Sequence, residues 1–329
     1  MSTAPIRDAG TALRAVARTP GGPDALVLEQ VPTPVPGPGQ VRIAVQGAGV
    51  AFGDVQLRQG RLPGRFPVTP GYDVVGHVDA AGPGVEQPAV GQRVAAYVGV
   101  GGYTTSALAR AELCVPVGED LDTAQVSALT LNYTTAAQLL RAARVPAGGR
   151  VLVLGAAGGV GSALTELALL DGLTVTGTAS AARLPALMEK GITALADADD
   201  PPDPVDTTFD PVGGPSIARS RRRTRRGGTV VVYGMTGSNT RDLSRAHGMA
   251  AAVWALARAR VTPGPRVVGF FGGPAKQPAV FAADLQRLLG LLADHRLDPQ
   301  VTTMPLTAVA DAHRRLEERR VLGKVVLLT

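Results

Sequence analysis

The sequence predicts an α/β protein in which a barrel-like β region is followed by a doubly wound parallel sheet. Three observations predict it. Short apolar–polar segments cut by Pro and Gly fill the first third of the chain. Near residue 123 the pattern changes to helical spacing, and from residue 150 continuous apolar runs alternate with helical segments. Between one of those runs and a helix sits GAAGGVG, residues 155–161.

The 329 residues suffice for two domains, and 45% apolar content supports real cores. ALVLEQVPTPVPGPGQVRIAVQGAGVAFGDV alternates as half-buried strands do. PGYDVVGHVDAAGPGV adds a strand and a Gly-Pro-Gly turn, and VGQRVAAYV and ELCVPVGE add two more. TAQVSALTLNYTTAAQLLRAA is helical in spacing, with Thr123 as its expected cap. RVLVLG, LTVTGT, TTFDPV, TVVVYGM and RVVGFF then read as strands of a parallel sheet covered on both faces. AVFAADLQRLLGLLADHRL is an amphipathic helix, and the chain closes with a further helix and strand. DADDPPDPVD, residues 197–206, is an acidic, Pro-rich loop.

The net charge is +6, yet only three of the 33 basic residues are lysine (Lys190, Lys276, Lys324). That arginine bias, with abundant Ala, Gly and Pro, reads as genome composition rather than a selected phosphate surface. At 4%, aromatics are too few for a base-stacking platform. The densest basic run, ARSRRRTRRGG at 218–228, reads as a solvated helix end or, as the alternative, an anion patch. No nucleic-acid partner is expected. No apolar stretch of membrane-spanning length free of Gly, Pro or charge occurs, and no secretory pattern opens the sequence, so no membrane is expected and the cytoplasm is the expected compartment. A single cysteine, Cys114, excludes an internal disulfide and a Cys-rich zinc lobe.

The glycine run carries the chemistry. A strand, a tight turn of small residues and a helix start form a dinucleotide site: small residues let backbone approach a pyrophosphate, and the helix N-terminus offers unpaired N–H groups. Gly158, Gly159, Val160 and Gly161 form that turn, with Gly158 and Gly161 as the closest-approach positions. A strand–helix turn without ligand is the alternative. The next strand ends at Thr178, where NAD sites place a carboxylate for the ribose; no Asp or Glu follows before Glu189. Ser180 and Arg183 stand there instead. A hydroxyl and a guanidinium suit a 2′-phosphate, which favours NADPH. Arg183 as an ordinary helix-face arginine stays open.

In ordered combination, GAGVAFGDVQLRQG, FPVTPGYDVVGHVDAAGPGV, ALTLNYTTAAQLL, VLVLGAAGGVG, FDPVGG, GGTVVVYGMTG and the terminal GKVVLL resemble the zinc-independent medium-chain dehydrogenase/reductases, in their quinone-oxidoreductase-like branch. The resemblance covers nearly the whole chain. It implies a GroES-like β-barrel catalytic domain at 1–128, a Rossmann cofactor domain at 129–275 and a return to the catalytic domain at 276–329. It implies hydride transfer to a polarised C=C or C=O, in a cleft between the domains, and a homodimer joined through the cofactor-domain sheets. By position it brings Asn132, Thr135, Val212, Gly213, Tyr233, Gly234, Phe270 and Phe271 to the cofactor. Core packing is the alternative for the aromatics. Lys324 lies near the cleft or is a solvated lysine.

Departures from the family narrow the chemistry. Tyr72 and Asp73 stand where a zinc-dependent relative has His and Glu, and the first β segment lacks its Cys, so no metal is expected. Ala51 and Gln56 replace polar residues common in quinone reductases. Asp54 either orients substrate or bonds backbone N–H groups in its turn. Tyr72 and Tyr133 are the candidate proton donors, against packing roles; water is the third possibility. The expected substrate is a small electrophile: a quinone or an α,β-unsaturated carbonyl, of a specialised biosynthetic pathway or free. A family fold with a non-redox role is the alternative, as a cyclisation or addition enzyme or a cofactor-binding module.

Overall fold

In the computed structural model, residues 10–197, 199–234, 262–270 and 273–329 are described. The chain forms two compact units, Met1–Thr134 with Gly273–Thr329, and Thr135–Gly272.

The first unit is built on a seven-stranded sheet. Its strands are β3 (Gln40–Val50), β4 (Asp73–Ala81), β5 (Arg93–Tyr97), β6 (Ser106–Arg110), β7 (Cys114–Pro116), β14 (Val301–Pro305) and β15 (Lys324–Leu328). β3 is the hub: it pairs antiparallel with β4, β6 and β15, and two register shifts along β3–β4 bend it to serve all three. A ribbon of β1 (Thr11–Ala17) and β2 (Leu26–Pro32) stands beside this sheet. Alternation on β3 turns Val41, Ile43 and Val45 into one core with Val74, Val78, Val94 and Val325. Four strands and helices of this unit escape the sequence reading: β1, the short helix α1 (Phe52–Arg58), β6 and β14. α1 follows a Gly-rich stretch, and a seven-residue helix is too short to print a periodicity.

The helical segment from residue 123 forms as read, with one correction. α2 (Thr123–Ala128) is capped by Asp122, whose carboxylate accepts the Gln125 N–H at 2.9 Å, not by Thr123. Residues Leu129–Tyr133 form a π-turn before α3 (Thr134–Ala143). α7 (Pro278–Ala293) and α8 (Val309–Glu317) complete the first unit; the numbers α4–α6 belong to the second.

The second unit is a six-stranded, all-parallel sheet. Its strands are β8 (Arg150–Val153), β9 (Thr174–Ala179), β10 (Thr193–Ala196), β11 (Val205–Asp210), β12 (Thr224–Val232) and β13 (Arg266–Gly269), in spatial order β10-β9-β8-β11-β12-β13. Winding reverses between β8 and β11, and open α/β sheets bind ligands outside the carboxyl ends of strands at such a switch. Helices α4 (Gly159–Leu170), α5 (Leu184–Met188) and α6 (Ser216–Arg223) join the strands. The acidic loop leading from β10 to β11 carries no helix among its described residues.

The basic run does end a helix, with Arg222 exposed in its last turn, but most of its arginines are paired rather than free in solvent. Arg223 is buried, and its Nε donates to Asp200 at 2.6 Å; Arg219 Nε reaches the same carboxylate at 3.1 Å. Arg225 pairs with Asp206, and Arg221 donates to the Thr262 and Pro263 carbonyls. The acidic loop thus neutralises much of the run. β12 begins at Thr224, so α6 ends before the Gly-Gly of the run.

Candidate active site

The turn 155–161 lies at the carboxyl end of β8, beside the switch point. Gly158 is the N-cap of α4 with extended backbone, and it, Gly159 and Val160 are half-exposed. The first N–H groups of a helix have no partner within it, and here they belong to residues with little side chain in the way. Gly161 carries a packing constraint of its own. It is buried, and a Cβ there would lie 2.2 Å from the Gly155 carbonyl oxygen. A side chain there would hold the start of α4 away from the turn, so glycine is required for packing. Thr178, at the end of β9, holds the turn: its hydroxyl accepts the Gly155 N–H at 3.2 Å and its carbonyl the Ala156 N–H at 2.8 Å. Beyond β9, Ser180 is exposed and Arg183 half-buried, with no carboxylate between Thr178 and Arg183.

On the other side of the switch, Asp210 ends β11 fully buried. Its carboxylate accepts the Val212 and Gly213 N–H groups at 2.8 and 3.0 Å and the hydroxyls of Ser216 and Ser220. That clamp shapes the 211–214 loop. Gly213 faces the end of β12, where a Cβ would meet the Gly234 carbonyl at 2.6 Å. Tyr233 is half-buried and its backbone N–H donates to the Asp210 carbonyl; burial raises its phenol. Phe270 is half-buried and continues β13 through a 2.7 Å bond to Val232. Phe271 lies outside the described residues. Val212, Gly213, Tyr233, Gly234 and Phe270 thus gather at the carboxyl edge that also carries Gly158 and Arg183. Thr135 is half-buried at the start of the second unit.

In the first unit, Asn132 and Tyr133 sit in the π-turn and are buried, 5% and 2% exposed. Such turns often mark functional positions. Lys324 is not a solvated lysine. It is buried on β15, and its ammonium donates to Asp73 Oδ1 at 2.9 Å. Ser127 Oγ donates to the other Asp73 oxygen at 2.8 Å. Gly49 makes room for this pair, since a Cβ there would lie 2.2 Å from the Asp73 carboxylate.

Asp54 resolves toward backbone. Its two oxygens accept the Ala51 N–H at 2.8 Å and the Gly71 N–H at 2.7 Å, tying the start of α1 to the loop that carries Tyr72. Burial pushes its carboxyl up to about 7 against the pull of those N–H groups. Tyr103 bonds it as well and heads a buried chain. The Arg58 guanidinium can only donate, so His313 Nδ1, 3.3 Å away, accepts. The ring proton of His313 then sits on Nε2 and points to the Tyr103 hydroxyl at 3.0 Å. That leaves the Tyr103 proton for Asp54. Burial and Arg58 push the His313 pKa down to about 3, so the ring is neutral at ordinary pH. Arg58 also donates to Glu317 at 2.5 Å. Tyr103, His313 and Arg58 were not among the candidates read from the sequence, and Thr178 was named there only as the end of its strand. Only Thr178 carried a signal, as a residue near the end of the strand that faces the glycine turn.

Tyr72 is half-buried, its ring stacked on Tyr97 with centroids 6.3 Å apart and its hydroxyl pressed over Gly53. Burial and the Asp54 charge raise its pKa, so the phenol keeps its proton. It lines an open cavity of about 770 Å³ within the first unit, walled by Val16, Leu57, Leu62 and Val68 and by the turns 63–67 and 99–101.

A family model described as the alcohol dehydrogenase GroES-like domain matches residues 37–119, and one described as zinc-binding dehydrogenase matches 188–327. The human synaptic vesicle membrane protein VAT-1 homolog is 32% identical over 340 residues, spanning 94% of this chain and 84% of that protein. Rat quinone oxidoreductase is 42% identical over 165 residues, 48% of this chain and 50% of that enzyme. Among solved structures, mycobacterial Rv1454c complexed with NADPH is similar with a TM-score of 0.81 at 26% identity, covering 96% of this chain and 100% of that one. The chain belongs to the medium-chain dehydrogenase/reductase family, in its quinone-oxidoreductase-like branch.

Its first unit carries the GroES-like domain and its second the Rossmann-like sheet. The zinc of the second description does not fit the residues present. Asp73 is committed to Lys324, and burial pushes the Cys114 thiol up to about 12, away from the thiolate a zinc ion needs. No group of three or more His, Cys, Asp or Glu among the described residues could hold a metal. No described helix is long and apolar enough to cross a membrane.

Proposed function

We propose that the chain is an NADPH-dependent, metal-free oxidoreductase that delivers hydride to a quinone or an α,β-unsaturated carbonyl. The observation that carries this reading is the end of β9. Exposed Ser180 and half-buried Arg183 stand without a carboxylate in the described unit whose switch point holds the open first turn of α4. NADPH supplies the hydride from its nicotinamide when bound. The chain's own residues bind and orient. N–H groups of Gly159, Val160 and Gly161 take the pyrophosphate, and Ser180 and Arg183 take the 2′-phosphate. Val212, Gly213, Tyr233, Gly234, Phe270 and Thr135 wall the cofactor; Phe271 and Asn132 belong to the same reading. Lys324 holds Asp73 instead. Asp54 positions the Tyr72 loop through Gly71, and Tyr72, protonated and lining a cavity, is the proton donor to the reduced substrate. Tyr133, buried in the π-turn, is the weaker candidate.

The reading includes a homodimer joined through the cofactor-domain sheets, which light scattering on the eluting protein measures. The activity test follows reduced-nicotinamide absorbance with a benzoquinone, a naphthoquinone, an enone and an alkenal, each with NADPH and with NADH. Turnover that prefers NADPH is expected. NADPH binding by fluorescence with no turnover of any electrophile would overturn the redox reading in favour of a non-redox role.

A further inference from the structure

We propose that the cavity of the first unit takes an apolar electrophile bearing an anionic group, with Tyr72 at its carbonyl and Arg65 at its anion. The inference deepens the reductase reading and rests on it.

Three features of the cavity carry it. Its wall is apolar, and its volume of about 770 Å³ is that of a site for a whole small molecule rather than a crevice for one ring. Its neutral donor is a phenol held over Gly53 and kept protonated by its surroundings. Its charge is unbalanced. Two arginines line it, and no carboxylate does. Arg14 is already neutralised, donating to Glu29 at 2.6 Å. Arg65 is exposed on the loop at the cavity's edge and makes no ion pair among the described residues. A free guanidinium beside an apolar wall suits a ligand whose body is apolar and whose end is a carboxylate, sulfonate or phosphate. The phenol donor then sits against a carbonyl, whose oxygen gains negative charge as hydride adds to the conjugated carbon. The electron pair of the hydride forms the new C–H bond, the C=C π pair moves toward oxygen, and a proton from Tyr72, restored to it from solvent, completes the reduced product.

The anion can come from a free acid or from the phosphates of a carrier thioester, and the experiment separates them. NADPH-dependent kcat/KM is measured for 4-phenylbut-3-en-2-one, for its ring-carboxylated analogue and for the coenzyme A thioester of but-2-enoic acid. In the wild-type protein an anionic substrate is preferred, and which of the two identifies the source. Arg65→Ala lowers the ratio of anionic to neutral kcat/KM by about fivefold, the scale of one partly exposed ion pair. Arg65→Glu lowers it further, and Arg65→Lys restores part of it. A ratio unchanged across the three variants would overturn the inference while leaving the reductase reading intact. A second readout separates the reverse case. Binding of the anionic dye 1-anilinonaphthalene-8-sulfonate, displaced by the carboxylated enone, is followed by fluorescence. Arg65-dependent displacement with no turnover of any substrate would keep the anionic cavity and sink the reductase reading. Displacement indifferent to Arg65 would overturn the cavity's anion preference directly.

Discussion

The two regions that carry the chemistry are made of different material. Behind β8 the candidate nucleotide site is backbone: a turn of small residues, the N–H groups of α4 and the carbonyl of Thr178. In the first unit the candidate machinery is side chain: Asp54, Tyr103, His313 and Arg58 in one buried line, and Asp73 with Lys324 in another. A backbone site tolerates change wherever a side chain can point away and fails where one cannot. A buried side-chain network fails when any single member is lost, because the others are left charged or unpaired in a medium that will not solvate them.

The largest effect tests the buried pair. Asp73→Ala leaves the Lys324 ammonium buried without a counter-ion, and we expect a loss of about 3–5 kcal/mol in unfolding free energy by urea titration. Asp73→Ala combined with Lys324→Met removes both charges and recovers most of that loss. If the single variant costs no more than a surface substitution, the contrast between the two regions is wrong.

The next effect tests the backbone side. Gly161→Ala drives a methyl to 2.2 Å from the Gly155 oxygen, and its cost is about 3 kcal/mol with loss of nucleotide binding. Gly158→Ala places its methyl at 3.3 Å, so the fold is kept and stability changes by less than about 1 kcal/mol. Thermal melts and NADPH titration of the two variants read the difference. Equal behaviour would mean that the turn does not depend on the close approach of Gly161 to Gly155.

This division also explains what could be read from the sequence. A backbone site is local, so strand, turn, helix cap and the missing carboxylate after Thr178 all fall within 30 residues and follow a known physical pattern. Five of the six strands of the doubly wound sheet were legible for the same reason, each βαβ step being written in consecutive residues; the four-residue edge strand β10 was too short to read. The buried chain is not local. Arg58 and His313 lie 255 positions apart, and His313 sits on α8, where one histidine among arginines and glutamates looks like part of a solvated face. Asp54 read as an even choice between substrate and backbone because its partners, Gly71 and Tyr103, come from other strands' turns. The Lys324 pair was illegible for the same cause: nothing near it in sequence announces Asp73. The helix cap missed by one residue, Asp122 for Thr123, because both types cap and only geometry decides.

Acid separates two members of the buried line by sign. His313 has its pKa pushed down to about 3 from an ordinary 6.5, so between those values the unfolded chain binds the proton and the folded one does not. Its contribution to stability is whole above pH 6.5 and is lost as pH falls, by about 2 kcal/mol at pH 5. Asp54 is raised to about 7 from 3.8, so the folded chain holds the proton in that window. Its term grows as pH falls from 7 toward 3.8, by a similar amount and with the opposite sign. Wild-type stability from this pair is therefore nearly flat from pH 7 to 5. His313→Gln exposes the Asp54 slope, and the variant gains on acidification relative to wild type. Asp54→Asn exposes the His313 slope and loses. Urea midpoints at the two pH values, compared across the three proteins, check it; parallel shifts in all three would mean that neither group titrates in its buried place.

The smallest effect bears on the backbone region's one side-chain element. If α4 supplies the pyrophosphate contacts, Arg183 adds selectivity rather than affinity for the dinucleotide as such, since NADH and NADPH share every group except the 2′-phosphate. Arg183→Ala should then lower the NADPH-to-NADH ratio of kcat/KM about tenfold, a little over 1 kcal/mol, while NADH turnover changes far less. Ser180→Asp, which sets a carboxylate where the phosphate would sit, should lower the same ratio further by repulsion and need not harm NADH. A change shared equally by both cofactors would assign Arg183 to the packing of its helix. The second unit would then owe its nucleotide preference to backbone alone, the extreme form of the contrast with the first.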